Sequence, residues 1–347
     1  MAIDVTVLGA GVWGLSCAWA MAERGARVRV VDPEGVASGA SGGIVGALAP
    51  HAPEQWNETK AFQFRSLLMA EAWWAAVAER GGGEPGYGRT GRLQPLADED
   101  ARMRAEARGI EALARWRDAA TWNVEEAPKD GWDPGTALVI RDTLSARLHP
   151  RRACLALAAA IRASGGEIVG GARPEGAVIH ATGWQGVAGM VDADGRAAGG
   201  GVKGQAVLLG LDRRDLPQLY VNGLHVVPHA DGTTAVGSTT ERDFRHERPD
   251  DGADALLARA VAAVPALRGA PVLERWAGVR PRTRSRAPLL GPWPGRPGHW
   301  IANGGFKIGF GLAPAVAELM ADLVLEGWDR VPEPFRTDGL AANVGGD

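Results

Sequence analysis

Only two cysteines occur in the 347 residues, Cys17 and Cys154. Both fall in segments that read as helices, and neither they nor the seven histidines show metal-ligand spacing. No metal is therefore expected, and a reducing compartment is the simpler setting. Long apolar runs are also missing: the longest, such as Leu155–Ile161, fall far short of the roughly 20 residues a membrane span requires. The N-terminus enters a strand within a few residues and lacks the charged and apolar regions of an export signal. Neither charge sign dominates, since 38 Lys+Arg face 41 Asp+Glu. That balance, without a block of like charge, argues against nucleic-acid partners. The expectation is a cytoplasmic protein with no nucleic acid and no membrane partner, and a homo-oligomer stays open.

Glycine, by contrast, is abundant at 49 residues, about twice the usual share. It falls between periodic segments and not in low-complexity tracts, so it marks turns. An apolar content of 46% and charged content of 23% suit a soluble enzyme, and the length suits one large or two interleaved domains.

The chain is organised around its first thirty-two residues. Val5–Leu8 runs into Gly9-Ala10-Gly11-Val12-Trp13-Gly14, and a second apolar run, Val28–Val31, ends at Asp32. This is a strand, a glycine turn, a helix and a second strand. Gly9 permits the turn, Gly11 lets the backbone approach a pyrophosphate, and Gly14 lets the helix pack on the strand. The unpaired N–H groups at the helix N-terminus then face the phosphates, and Asp32 is placed to accept from a ribose diol. The motif alone does not separate NAD from FAD.

A loop of small residues follows, Ser38–Gly43, leading through Ile44–Ala49 to Pro50–Glu54; such a loop lets backbone approach a flat ring system, or is a surface loop. Ala61–Arg80, Glu99–Ala119, Arg151–Ser164 and Ala253–Val264 carry helical periodicity. Ala177–His180 is an apolar strand that breaks at Thr182-Gly183. Alternation in Ala206–Leu209, Leu224–Pro228 and Thr234–Gly237 predicts an antiparallel sheet. Finally Asn303–Gly311 is a second glycine-rich stretch, predicted to open a helix from Leu312 to about Glu326, with a positive dipole end to place against an electron-rich group.

Taken in order, these stretches resemble the FAD-dependent D-amino-acid oxidase superfamily, and within it most closely the glycine oxidases of thiamine biosynthesis. The likeness rests on Gly9–Gly14 with Asp32, Ser38–Glu54, His180–Gly183, Val202–Gln205, Val226–Pro228 with Gly237–Thr239, Trp276–Pro281 and Gly305–Ala315. It implies an α/β (α+β mixed) fold in which a Rossmann-like FAD-binding domain, 1–50, 146–203 and 276–347, is interleaved with an antiparallel-sheet substrate domain, 51–145 and 204–275. It also implies noncovalent FAD, because neither cysteine matches the one that tethers flavin in sarcosine oxidases. The implied cofactor-binding residues are Gly9, Gly11, Val12, Trp13, Gly14, Asp32 and Pro33; Ala40, Ser41, Val45, Gly46 and Ala47; Thr182 and Gly183; and Gly305, Phe306, Lys307, Ile308, Gly309, Phe310 and Gly311.

The implied reaction oxidises the amine of glycine, sarcosine or a small D-amino acid to an imine and then a keto acid, with oxygen reduced to hydrogen peroxide. The alternatives are a dehydrogenase of this fold with a quinone or protein acceptor, and a non-catalytic flavin-binding protein; an NAD dehydrogenase leaves Ser38–Glu54 and Gly305–Gly311 unexplained. Arg280 stands where the resembling oxidases clamp the substrate carboxylate, a task its planar fork suits. Lys307 replaces a second arginine and offers a point charge. His225 stands in place of a pocket tyrosine, to hydrogen-bond the carboxylate, or to add charge below neutral pH, or as a solvated strand residue. Glu167–Val178 is shorter than the corresponding family segment, which puts the adenine contacts in question. Thr283–Arg286 lacks a common aspartate, making that edge basic.

Overall fold

The computed structural model describes residues 2–129 and 131–341. The expected domain segments also cover positions 1, 130 and 342–347, which lie outside the described residues. In chain order the strands are Val5–Leu8 (β1), Val28–Val31 (β2), Ala47–Leu48 (β3), Arg92–Pro95 (β4), Trp122–Glu126 (β5), Leu138–Asp142 (β6), Ala146–Arg147 (β7), Glu167–Val169 (β8), Ala177–His180 (β9), Gly199–Leu209 (β10), Gln218–Val221 (β11), Leu224–Pro228 (β12), Thr234–Gly237 (β13), Val272–Thr283 (β14), Leu289–Pro292 (β15) and His299–Asn303 (β16). The α-helices are Val12–Glu23 (α1), Glu58–Gly81 (α2), Glu99–Trp116 (α3), Pro150–Ala163 (α4), Gly183–Gly189 (α5), Asp251–Ala263 (α6) and Gly309–Ala321 (α7).

Two large sheets result. The first has the order β15-β16-β9-β1-β2-β8 and is parallel except at the β15 edge. β1 lies between β9 and β2, so the chain leaves the centre in one direction and returns on the other side. In such sheets the crevice outside the carboxyl ends of the strands is the natural ligand site. The second sheet has the order β14-β10-β13-β12-β11-β4-β6-β5. It is antiparallel as predicted, with one exception: β4 and β11 pair in parallel because they lie far apart in sequence and no hairpin connects them. β10 and β14 run unbroken across the expected borders at 203/204 and 275/276, pairing from Gly199↔Thr283 to Leu209↔Val272.

Helix α1 is buried from Val12 to Ala22, which its all-round apolar sequence requires. It packs against α4 and α7, and α2 covers α7 in turn. The rings of Trp19 and Trp73 meet edge to face, with centroids 4.5 Å apart. Asn57 starts α2 by accepting the Lys60 N–H at 3.0 Å, and Gly82 ends it in the left-handed region at φ 67°. A second core under the eight-stranded sheet gathers Leu93, Val139, Val207 and Leu219 with Leu256 and Ala260 of α6. Among the described residues, no helix is long and apolar enough to cross a membrane.

Candidate active site

The turn after β1 brings the first group of predicted residues to the carboxyl edge of the parallel sheet. Gly9 has φ 110°, and a Cβ there would stand 2.3 Å from the Ala181 carbonyl oxygen. A Cβ on Gly14 would stand 1.9 Å from the Gly9 carbonyl oxygen, so helix and turn touch backbone to backbone. Asp32 is fixed by two main-chain donors: the Ala10 N–H reaches Oδ2 at 2.7 Å and the Glu34 N–H reaches Oδ1 at 3.0 Å. Each oxygen keeps a further lone pair to accept from a diol. One expectation is corrected here. The Val12 N–H is not left unpaired, because it donates to Ser41 Oγ at 3.0 Å. The small-residue loop has folded back over the helix start, and the serine hydroxyl hydrogen becomes the donor on that face.

The second glycine-rich stretch comes to the same crevice. Helix α7 begins at Gly309, three residues before the predicted start, so Gly309–Gly311 form its first turn. Beyond Ala321 it continues as one π-helical turn, Asp322–Glu326, before Gly327. The Trp13 indole N–H donates to the Gly309 carbonyl at 2.8 Å, and a Cβ on Gly305 would meet the same ring at 2.9 Å. Trp13 thus ties the two helix N-termini together.

One cavity of about 920 Å³ runs past both turns, at the upper end of the range of roughly 300–1,000 Å³ for ligand sites. Every residue assigned to cofactor or substrate from the sequence borders it except Gly14, which packs behind the turn. Asp32, Pro33 and Glu34 border it, as do Ser41, Val45 and Gly46 of the small-residue loop, and Phe306–Gly311. Arg280, Lys307 and His225 border it too. No residue of Glu167–Val178 does. His51 is also absent from the wall; its N–H donates to Gln63 Oε1 at 2.8 Å.

The three polar residues have distinct settings. Arg280 is half-buried; its Nη2 donates to Ser238 Oγ at 2.6 Å and its Nη1 to the Thr239 carbonyl at 3.4 Å. Burial brings its pKa down to about 10, with Glu241 opposing the change, so it stays charged at neutral pH. Lys307 Nζ donates to Thr240 Oγ1 at 3.0 Å. Desolvation, then the Arg280 charge, lowers its pKa. Among the described residues neither cation forms a salt bridge. His225 is held down to about 3 by burial and by the Arg92 and Lys307 charges. The expected charge below neutral pH is thereby corrected: the ring is neutral, with Nδ1 buried and without a hydrogen-bond partner. Both cysteines are buried and neither borders the cavity, and burial pushes the Cys17 thiol up to about 12.

Several wall residues were not foreseen. Tyr220 faces the cavity and pairs directly with His225 across β11 and β12, with ring centroids 4.7 Å apart. Ser238 supplies the Arg280 acceptor, and Gly204 leaves room for the fork, since a Cβ there would lie 2.0 Å from Nη2. At the basic edge, Arg284 pairs with Asp192, which lowers the local excess of charge.

Compared with known families, residues 4–323 match the one described as FAD dependent oxidoreductase, DAO. The chain belongs to the DAO family. The glycine oxidase of Pseudomonas putida (strain KT2440) is 37% identical over 142 residues, 40% of this chain and 39% of that protein. The bifunctional protein ThiO/ThiG of Nostoc sp. (strain PCC 7120) is 27% identical over 358 residues; the match takes in 94% of this chain and spans about half, 53%, of that protein. The glycine oxidase of Geobacillus kaustophilus is 28% identical over 364 residues, 92% of each. The crystal structure of glycine oxidase from that species superposes with a TM-score of 0.83 at 22% identity, covering 99% of both chains, which shows a shared fold. This DAO-family chain is an FAD-dependent oxidoreductase, and the residues along its cavity fit that cofactor. Asp32 borders the cavity, a glycine turn opens α1, and a second glycine turn opens α7.

Proposed function

We propose that this protein oxidises the amine of glycine or a similarly small amino acid, such as sarcosine or a small D-amino acid. The imine is then hydrolysed to a keto acid, and oxygen is reduced to hydrogen peroxide. The observation that carries the reading is the pair of cations, Arg280 and Lys307, held at the cavity by hydroxyl and carbonyl oxygens and, among the described residues, by no carboxylate. A cation at a partly desolvated wall without an acidic partner favours an anionic ligand.

FAD, when bound, would supply the electron-accepting ring that the oxidation requires. The protein binds and orients. Arg280 offers two N–H groups to the substrate carboxylate, and Lys307 adds a point charge beside it. His225 borders the cavity on the same side without adding a third positive charge. Tyr220 closes the wall next to it. The first turn of α7 lines the cavity, and its positive dipole end would favour an electron-rich edge of the flavin there. Orientation of this kind removes several kcal/mol of barrier.

The test is the visible spectrum of the FAD-loaded protein, followed without oxygen as glycine is added. Bleaching of the yellow flavin, with peroxide formed on admitting air, is the expected outcome. A spectrum that neither glycine, sarcosine nor D-alanine changes would overturn the reading.

A further inference from the structure

Helix α3 turns a second apolar face to solvent. Its inner face, Ala105, Ala112 and Trp116, is buried. The Trp122 indole N–H donates to the Ala105 carbonyl at 3.1 Å, and a Cβ on Gly109 would stand 3.0 Å from the Trp122 carbonyl oxygen. The helix is therefore seated by that face on β5, the outer strand of the eight-stranded sheet. The opposite face carries Met103, Ile110 and Leu113, which are 52%, 72% and 74% exposed, with exposed Ala107 and Ala114 beside them. Exposed apolar side chains scattered singly are ordinary, whereas three on one face of a helix form a patch of the kind that marks an interaction surface.

The spacing points to another helix as the occupant. Met103, Ala107, Ile110 and Ala114 recur at intervals of four, three and four residues, the pattern of a seam between two helices. Laid antiparallel on a second copy about a two-fold axis through its middle, α3 sets Met103 against the partner's Ala114 and Ala107 against the partner's Ile110. Every layer then meets large with small. The charges fit the same arrangement. Exposed Arg104 and Glu111 flank one side of the seam, and this register brings Arg104 within two residues along the axis, about 3 Å, of the partner's Glu111. The two-fold repeats the pair, so both are made at once. A parallel pairing would instead set Glu106 beside the partner's Glu111, acid against acid. Within its own chain Glu111 lies 3.8 Å from Arg115, and an exposed pair of this kind holds it only weakly. A lipid surface would call for a mainly basic border, and this one carries both signs.

We propose that the outer face of α3 is a contact between two copies of this chain, an antiparallel α3–α3 pair about a two-fold axis, with Met103, Ala107, Ile110 and Ala114 in the seam and Arg104 paired with the partner's Glu111. Sedimentation velocity of the FAD-loaded protein over a wide range of concentration is the test, read against the 36.3 kDa of one chain. The parent should self-associate, and Ile110→Glu should abolish that association. Arg104→Glu and Glu111→Arg each set like charges opposite one another in a symmetric pair, so each should raise the dissociation constant about tenfold or more. The decisive arm mixes these two single variants in equal amounts. In the mixed pair every acid again faces a base, so the mixture should associate as the parent does although neither variant does so alone. All three altered side chains are exposed and none borders the cavity, so FAD content should match the parent throughout.

A parent that remains a single copy at every concentration would overturn the proposal, leaving the patch to a different partner. An assembly that Ile110→Glu does not weaken would overturn it too, since the copies would then meet elsewhere. So would charge variants whose mixture fails to recover association, because only the antiparallel register exchanges the two charges between copies.

Discussion

Adding a single methyl group at Gly204 should disable the site without touching a charged residue. The glycine lies in β10 beneath the Arg280 side chain, and a Cβ there would meet Nη2 at 2.0 Å, Nη1 at 2.1 Å and Cζ at 2.2 Å. Ordinary contact needs about 3.4 Å, so the guanidinium must retreat by about 1.4 Å. It is the movable partner, being the far end of a long side chain, and the strand stays in place. That retreat breaks the 2.6 Å bond to Ser238 Oγ. A hydrogen bond to a charged group contributes about 1.5–3 kcal/mol, and a displacement of about 1 Å in a binding group can cost on the order of 100-fold. We therefore expect kcat/KM for the amino-acid substrate to fall about 10- to 100-fold in Gly204→Ala. Stability should hold, since alanine loses less backbone freedom than glycine on folding. The assay is steady-state turnover beside FAD content and thermal unfolding. Gly200→Ala is the control, because a Cβ at this position of the same strand meets nothing within 4 Å. If Gly204→Ala matched the parent in kcat/KM, the position assigned to the Arg280 fork would be wrong.

Two further perturbations address cofactor and pH. Asp32→Ala removes a carboxylate at the cavity wall that we assign to the ribose diol, and should weaken FAD binding about 10- to 100-fold; flavin fluorescence titration of the apoprotein measures it, and an unchanged dissociation constant would remove Asp32 from that role. His229 is buried, its Nε2 lies 2.8 Å from the Ile44 carbonyl, and burial, followed by the neighbouring His149, holds its pKa down to about 4 from an ordinary 6.5. Between those values the unfolded chain binds a proton that the folded protein does not. Stability should therefore fall as the pH drops from 6.5 to 4, by at most about 3 kcal/mol from this group. Thermal unfolding of His229→Gln should show a shallower acid slope, and an identical slope would assign the loss elsewhere.

What the sequence made legible was mostly local. Gly9–Gly14 with Asp32 spans one strand-helix-strand unit, and the roles of its glycines follow from close approach within that unit. The start of α7 was displaced by three residues because glycines weaken the helical pattern they begin. Tyr220 was missed because Gln218–Val221 is short and flanked by turn residues, and its importance comes from a cross-strand partner in His225. Gly204 was visible inside a motif, but its reason, a guanidinium arriving from β14, lies more than seventy residues away. The lowered pKa of His225 comes first from burial and then from Arg92 and Lys307, which lie in two other parts of the chain. For Gly204 and His225 the missing information was a long-range neighbour.

The Trp13–Gly309 hydrogen bond joins residues 296 positions apart. During synthesis on the ribosome, β1, its turn and α1 emerge nearly 300 residues before the opposite wall of the crevice. Cofactor capture is therefore a late event in the life of the nascent chain. Until then the apolar surface of α1 that α7 will cover must be shielded by other means.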